Sequence, residues 1–253
     1  MGVGRVVFIG AGPGAADLLT LRGARALARA DVVLFDALVD PAMKDFAPRA
    51  QWIDVGKRGF CDSTRQARID ALLVQHSLAG KTVARLKGGD PSVFARLEEE
   101  LEALAKAGIA CEVIPGVTAA IAAAAATQRP LTRRGSGRSV SLVTAMTRSG
   151  ELQATRTADT EVYYMAGRQL PALARALLDA AWPADTPVLV VSRAGWPDQL
   201  TSDHTAASLG EASVLHAGRP TVVTVGAGAR AIDGRALASC AEHPCATVET
   251  LKP

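Results

Sequence analysis

The residues best suited to chemistry in this 253-residue chain sit in two glycine-rich turns and in a scatter of charge that follows them. In the stretch 85–98, R-L-K-G-G-D-P-S-V-F-A-R-L-E, the pair Gly88-Gly89 has almost no side-chain bulk. Such a pair lets a ligand lie directly against the main chain. Asp90 then suits a helix N-cap and Pro91 its first turn, where a missing N–H costs nothing. An earlier turn, Gly10-Ala-Gly12-Pro13-Gly14, follows an apolar run, and Asp36 closes the next one. Together they match a dinucleotide-binding pattern in which the acid would hold a ribose. Pro13 counts against a nicotinamide cofactor, because it removes an N–H that would cradle a pyrophosphate. The Gly88-Gly89-Asp90 turn has no part in that pattern either, so hydride transfer is the weaker reading.

Cations are available for an anionic substrate. Lys57 and Arg58 follow a strand, and Arg96, Arg133, Arg134 and Arg138 carry guanidinium forks that match carboxylates two bonds at a time. Each also suits a solvated surface charge, Arg134 and Arg138 most of all. Cys240-A-E-His243-P-Cys245 offers two thiols and an imidazole without a fourth ligand, so no metal site is expected. His76, His204 and His216 form no recognisable constellation.

The elements that must position these residues alternate. Strands are expected at 6–9, 32–35, 52–55, 82–86 and 111–114. Leu18, Leu19, Leu21, Ala24, Leu27 and Ala28 recur at helical spacing between the first two. A helix over 64–78 is capped by Ser63 or Thr64 and stopped by Gly80, and another over 91–107 ends at Gly108. This alternation predicts a parallel sheet covered on both faces, with ligands at the carboxyl ends of the strands. After Pro115-Gly116 an alanine-rich helix begins a second region with strands at 140–144, 161–165, 188–191 and 221–225 and a helix over 170–181. Its polar connections run over 147–160 and 196–206. From Ala227 onward small residues dominate and the pattern fades into a tail. The expected architecture is α/β with two α/β domains: an N-terminal parallel sheet (1–115), a C-terminal mixed sheet (116–230) and a tail (231–253).

A chain that is 49% hydrophobic and 21% charged is of ordinary globular composition, and a net charge of +3 is far from that of a nucleic-acid binder. The run 116–126 is too short for a membrane span, and M-G-V-G-R-V-V-F-I-G begins a strand instead of a signal peptide. Four cysteines make no disulfide framework, which fits a reducing cytoplasm.

With both turns placed, the sequence resembles the tetrapyrrole methylases, and within them the uroporphyrinogen-III C-methyltransferases. The matching pieces are V-F-I-G-A-G-P-G-A-A-D-L-L-T-L at 7–21, A-D-V-V-L-F-D-A-L-V at 30–39, V-G-K-R at 55–58 and R-L-K-G-G-D-P-S-V-F at 85–94. They continue with I-P-G-V-T-A-A at 114–120, P-L-T-R-R at 130–134, S-V-S-L-V-T at 139–144, Y-Y-M-A-G at 163–167 and A-D-T-P-V at 184–188. The resemblance implies S-adenosylmethionine (SAM) as methyl donor, leaving as S-adenosylhomocysteine, in a cleft between the two domains of a homodimer. It implies two methyl transfers to uroporphyrinogen III, an anionic tetrapyrrole, giving precorrin-2 for sirohaem or cobalamin. By position, Pro13, Gly88, Gly89, Asp90, Val93, Thr118, Ala119, Met165 and Ala194 would contact the cofactor. Asp36 would accept a proton and Lys57 donate one, with Arg96 beside them, while Arg58 and Arg133 would meet substrate carboxylates. From its residues alone Met165 suits a core position and Thr118 a helix cap.

The chain also departs from the family. Its Asp-Arg pair is Asp36-Ala37 here, G-R-G-G-E-E becomes Ala95-Arg96-Leu97-Glu98-Glu99-Glu100, and Gly59-Phe60-Cys61-Asp62 lacks the common Tyr-His. A glycine of the family is Ala194. These changes leave open a methylase acting on a later precorrin and a non-catalytic SAM- or tetrapyrrole-binding protein.

Overall fold

The computed structural model describes residues 2–56, 62–145 and 152–232. The chain divides into two compact units, Met1–Thr118 and Ala119–Pro253.

The first unit holds strands β1 (Arg5–Gly10), β2 (Val32–Phe35), β3 (Gln51–Asp54), β4 (Thr82–Lys87) and β5 (Cys111–Ile114), with helices α1 (Leu21–Leu27), α2 (Asp62–Leu78) and α3 (Leu97–Lys106). All strand pairs are parallel, in the order β3-β2-β4-β1-β5. Apolar side chains at a period of two explain the two covered faces. Val6, Phe8, Val32, Leu34 and Val83 pack against Ile69 and Leu73 of α2 and Leu104 of α3. Val7, Ile9, Val33, Ala84 and Leu86 face the other way, with Leu27 of α1 and Met43. The chain leaves the adjacent central strands β1 and β4 in opposite directions, which opens a crevice beyond their carboxyl ends.

Several expected boundaries shift. Helix α3 starts at Leu97, not Pro91, because Phe94 and Arg96 both take φ of 53°, a left-handed conformation that no helix continues through. Helix α2 already includes Ser63 and Thr64, so neither caps it. Gly80 and Gly108, at φ of 80° and 65°, follow the ends of α2 and α3 as expected. Helix α1 starts at Leu21, after a short 3-10 turn at Ala16–Leu18, with Thr20 as N-cap accepting from the Gly23 N–H at 3.1 Å.

The second unit contains α4 (Ala119–Ala126), β6 (Val140–Thr144), β7 (Thr160–Tyr164), α5 (Leu170–Asp179), β8 (Pro187–Ser192), β9 (Leu200–Thr205), α6 (Ala212–Leu215) and β10 (Thr221–Gly226). Its sheet is mixed, in the order β6-β7-β10-β8-β9, with β6 and β7 parallel and the other pairs antiparallel. Leu170, Leu173 and Leu177 of α5 lie on Tyr163, Val188, Val190, Val223 and Val225. Strand β9 was expected as a polar connection. Its sequence, L-T-S-D-H-T, lacks the apolar alternation of a buried strand because it pairs only with β8 at the sheet's edge. Nor does the tail begin at Ala227: a 3-10 turn at Ala227–Ala229 is packed in, Gly228 and Ala229 are buried, and Arg129 Nη1 donates to the Ala229 carbonyl at 2.7 Å.

A polar chain ties three strands of this sheet together around the fully buried His216. Thr221 Oγ1 donates to the Arg219 carbonyl (2.8 Å), so the Ser192 hydroxyl donates to Thr221 (2.8 Å) and accepts from His216 Nδ1–H (2.5 Å). His216 Nε2 then accepts from Ser202 (2.9 Å), whose oxygen accepts from His204 Nε2–H (2.8 Å). Every proton is placed with His216 neutral. Burial, followed by the charges of His204 and Arg219, lowers its pKa below the ordinary 6.5.

Candidate active site

The two glycine turns meet at the carboxyl ends of β1 and β4. Gly12 and Gly89 exchange main-chain hydrogen bonds, Gly12 N–H to Gly89 O at 3.2 Å and Gly89 N–H to Gly12 O at 2.7 Å. A third loop, after β5, closes against them: a Cβ at Gly116 would lie 2.4 Å from the Gly89 carbonyl oxygen and 2.7 Å from Gly10 Cα. Asp90 locks the arrangement. Its Oδ1 accepts from Ser92 N–H at 2.7 Å and its Oδ2 from Gly116 N–H at 2.9 Å. The carboxylate therefore closes an Asx turn and bridges two loops, in place of the helix cap expected for it.

Gly89 differs from its neighbours. At φ of 72° it needs glycine, yet a Cβ there would meet nothing closer than Thr118 Cα at 3.9 Å. Main chain is bare at this point, with open space above it. Pro13, Gly88, Asp90, Val93 and Thr118 belong to the same three loops. The Gly-rich turn after β1 runs into a 3-10 turn and does not open a helix directly, so it lacks the helix N-terminus on which a dinucleotide pyrophosphate rests.

Beside Gly88 is a cavity of about 430 Å³ lined by Asp36, Gly88, Val93, Phe94, Arg96 and a set of buried charges. Arg96 makes a two-bond contact with Glu99, Nε to Oε1 and Nη2 to Oε2, both at 2.7 Å. Beneath the cavity Arg85, Lys87 and Glu100 are at most 2% exposed. Glu100 Oε1 accepts from Lys87 Nζ at 2.7 Å, and its carboxylate accepts from Arg85 at 3.2 and 3.3 Å. Arg85 Nη2 also donates to Asp36 Oδ1 at 2.8 Å. Burial alone would lower the pKa of Arg85, but Asp36 and Glu100 outweigh it and hold the guanidinium above its ordinary value. Burial, and after it the charge of Arg85, lower the pKa of Lys87 in spite of Glu100.

Sequence reasoning missed this group. Arg85 and Lys87 occupy every second position of β4 after Val83, on the face toward α2 and α3, and Glu100 lies one turn before the core residue Leu104. The usable signal was a pair of cations two apart in a strand otherwise buried on both sides.

The remaining expected residues lie elsewhere. Lys57 and Arg58 fall outside the described residues, as do Cys61, Cys240, His243 and Cys245. Ala119, Arg133, Met165 and Ala194 belong to the second unit. Met165, just past β7, is 54% exposed at φ of 59°, so it is no core methionine. Ala194 is buried, next to Arg193, whose Nε donates to Asp198 at 2.7 Å while its guanidinium covers Trp196 at 4.1 Å. Arg133 donates through Nη2 to the Arg230 carbonyl and lines a separate cavity of about 440 Å³ with Arg156 and Arg230. Among the described residues no three His, Cys, Asp or Glu side chains converge on a metal-sized site, and no helix is long and apolar enough to cross a membrane.

Comparison with known proteins matches residues 5–210 to the tetrapyrrole (corrin/porphyrin) methylases. The uroporphyrinogen-III C-methyltransferase of Pseudomonas aeruginosa is 44% identical over 195 residues, which span 76% of this chain and 80% of that protein. The crystal structure of uroporphyrin-III C-methyl transferase from Thermus thermophilus, complexed with S-adenyl homocysteine, superposes with a TM-score of 0.77 at 35% identity, covering 88% of this chain and 97% of that one. A cobalt precorrin-4 methyltransferase superposes with a TM-score of 0.79 at 27% identity, covering 90% and 96%.

Proposed function

We propose a function from one premise: the chain belongs to the tetrapyrrole (corrin/porphyrin) methylase family. It is a SAM-dependent C-methyltransferase that methylates two ring carbons of uroporphyrinogen III, giving precorrin-2 on the way to sirohaem and cobalamin. The observation that carries this reading is the bare main chain at Gly89, stitched to Gly12 and standing next to a cavity lined by Asp36. Similarity of fold does not separate this acceptor from a later precorrin, since both kinds of neighbour superpose equally well. Identity favours uroporphyrinogen III, at 44% and 35% against 27%.

When bound, SAM supplies an electrophilic methyl group on a positive sulfonium. The residues fit such a ligand, because the open surface at Gly89 is one that any Cβ would invade. Pro13, Gly88, Gly89, Asp90, Val93 and Thr118 hold it in the first unit, and the same reading assigns Ala119, Met165 and Ala194 of the second unit to it. Alignment of donor, methyl and ring carbon supplies on the order of 7–11 kcal/mol of barrier reduction. Transfer leaves the ring cationic, and a proton must then depart. Asp36 accepts it, the C–H electron pair returns to the ring system, and the carboxylate becomes a neutral acid. Lys57 serves as proton donor, Arg96 lines the reacting cavity, and Arg58 and Arg133 receive substrate carboxylates. The enzyme works as a homodimer in the cytoplasm.

An anaerobic assay with uroporphyrinogen III and SAM, read by mass, tests the proposal. Gain of two methyl groups is expected. Binding of NAD and not SAM in parallel calorimetry, or SAM binding with no methylated product, refutes it.

A further inference from the structure

Arg85 is a saturated side chain. Its Nε–H meets Glu100 at 3.2 and 3.3 Å, Nη1 donates to the Leu34 and Leu86 carbonyls at 3.5 and 3.2 Å, and Nη2 donates to Asp36 Oδ1 at 2.8 Å and Glu100 at 3.3 Å. All five N–H groups have acceptors, so the planar fork cannot turn without breaking buried hydrogen bonds. Charge is balanced in the same way. Glu100 is matched by Lys87 at 2.7 Å, which leaves the charge of Arg85 for Asp36.

The consequence falls on Asp36, the most exposed member of the group, with its side chain 33% exposed. Oδ1 is held by Arg85, and Oδ2 has no hydrogen-bond partner among the described residues. The cavity wall also presents apolar Leu38, Val55, Ile69, Val93 and Phe94 and polar Gln66 and Arg96. A carboxylate without its Arg85 partner would rotate freely about its terminal torsion.

We propose that Arg85 is the positioning residue for Asp36, fixing one oxygen from below so that the other faces the cavity. This rests on the reading of Asp36 as proton acceptor. Arg85, with all its N–H groups already engaged, acts through the carboxylate.

The test is a double-mutant cycle between Arg85→Lys and Asp36→Asn in the full chain. The lysine variant keeps the buried positive charge but lacks the fork that reaches Glu100, two carbonyls and Asp36 together. In Arg85→Lys, kcat is expected to fall on the order of 100-fold, the loss typical of a misplaced reacting group, while the SAM Kd and the substrate KM stay within about threefold. In the Asp36→Asn background the same replacement should change kcat less than about threefold. A second cycle with Arg85→Met, paired with Asp36→Asn so that one charge of each sign is lost, covers a failure of the lysine variant to fold. A kcat for Arg85→Lys within threefold of the unsubstituted enzyme overturns the proposal. So does an undiminished loss in the Asp36→Asn background, or a fall in SAM affinity that parallels the fall in kcat. An unsubstituted chain that transfers no methyl group overturns the functional reading itself, and the positioning role with it, so the two failures are distinct.

Discussion

Replacement of Glu100 by glutamine tests the buried charge group directly. Glu100 is fully buried and is the acceptor for Lys87 at 2.7 Å and for Arg85 at 3.2 Å. Glutamine keeps the size and removes the charge, so Arg85 retains Asp36 while Lys87 is left buried and unmatched. Breaking a buried pair from one side costs about 3–5 kcal/mol. An upper bound follows independently, because Lys87 can escape by losing its proton. From the ordinary lysine value of 10.5 down to pH 7, at about 1.4 kcal/mol per unit, that escape costs about 5 kcal/mol. At pH 9.5 only about one unit remains, and the bound falls to about 1.4 kcal/mol. The destabilisation should thus be about 3–5 kcal/mol at pH 7 and shrink to about 1.4 kcal/mol or less at pH 9.5. Urea unfolding at both pH values measures it. Trp182 and Trp196 are replaced by phenylalanine, so that Trp52, in the first unit beside Phe35, is the reporter. A loss below about 1 kcal/mol at pH 7, or one that does not shrink as pH rises, would refute the electrostatic account of this group.

The two glycines of the crevice should respond differently. Gly116→Ala drives a Cβ to 2.4 Å from the Gly89 carbonyl oxygen and should lower the melting temperature through roughly 1–3 kcal/mol of overpacking, whereas Gly89→Val, with space around its Cβ but strained at φ of 72°, should lower stability through the backbone and in addition abolish SAM binding in calorimetry. An unchanged SAM affinity in folded Gly89→Val removes that turn from the site. Asp36→Asn should leave the SAM Kd nearly unchanged and reduce kcat at least 100-fold, and full turnover would end its role as proton acceptor. For His216 the folded pKa lies below the unfolded 6.5, so the unfolded chain takes up the proton first. Stability is fully present above about pH 6.5 and declines as pH falls below it, by up to about 1.4 kcal/mol per unit of depression. Denaturation of His216→Gln between pH 7 and 5 should show a flatter profile, and an equal slope in both proteins would contradict the neutral buried imidazole.

Sequence by itself determined the α/β layering. Val6, Phe8 and Val83 alternate with Val7, Ile9 and Ala84, and that period of two on parallel strands demands cover on both faces whatever the helices' details. The glycine turns after β1 and β4 were equally legible, because a strand's carboxyl end followed by residues without side chains has few other uses. What local pattern hid was decided by contacts far along the chain. Asp90-Pro91 has the composition of a helix start, but the Gly116 N–H, 26 residues on, captures its carboxylate and the helix waits until Leu97. Strand β9 owes its existence to pairing with β8, not to its own apolar content. Only the fold could reveal that Arg85 and Lys87 are balanced by Glu100 and Asp36, since these side chains converge from two strand ends and a helix. Charge in a sequence carries no mark of burial. It is the tertiary structure that withdraws water from these groups and so makes each the obligatory partner of the next.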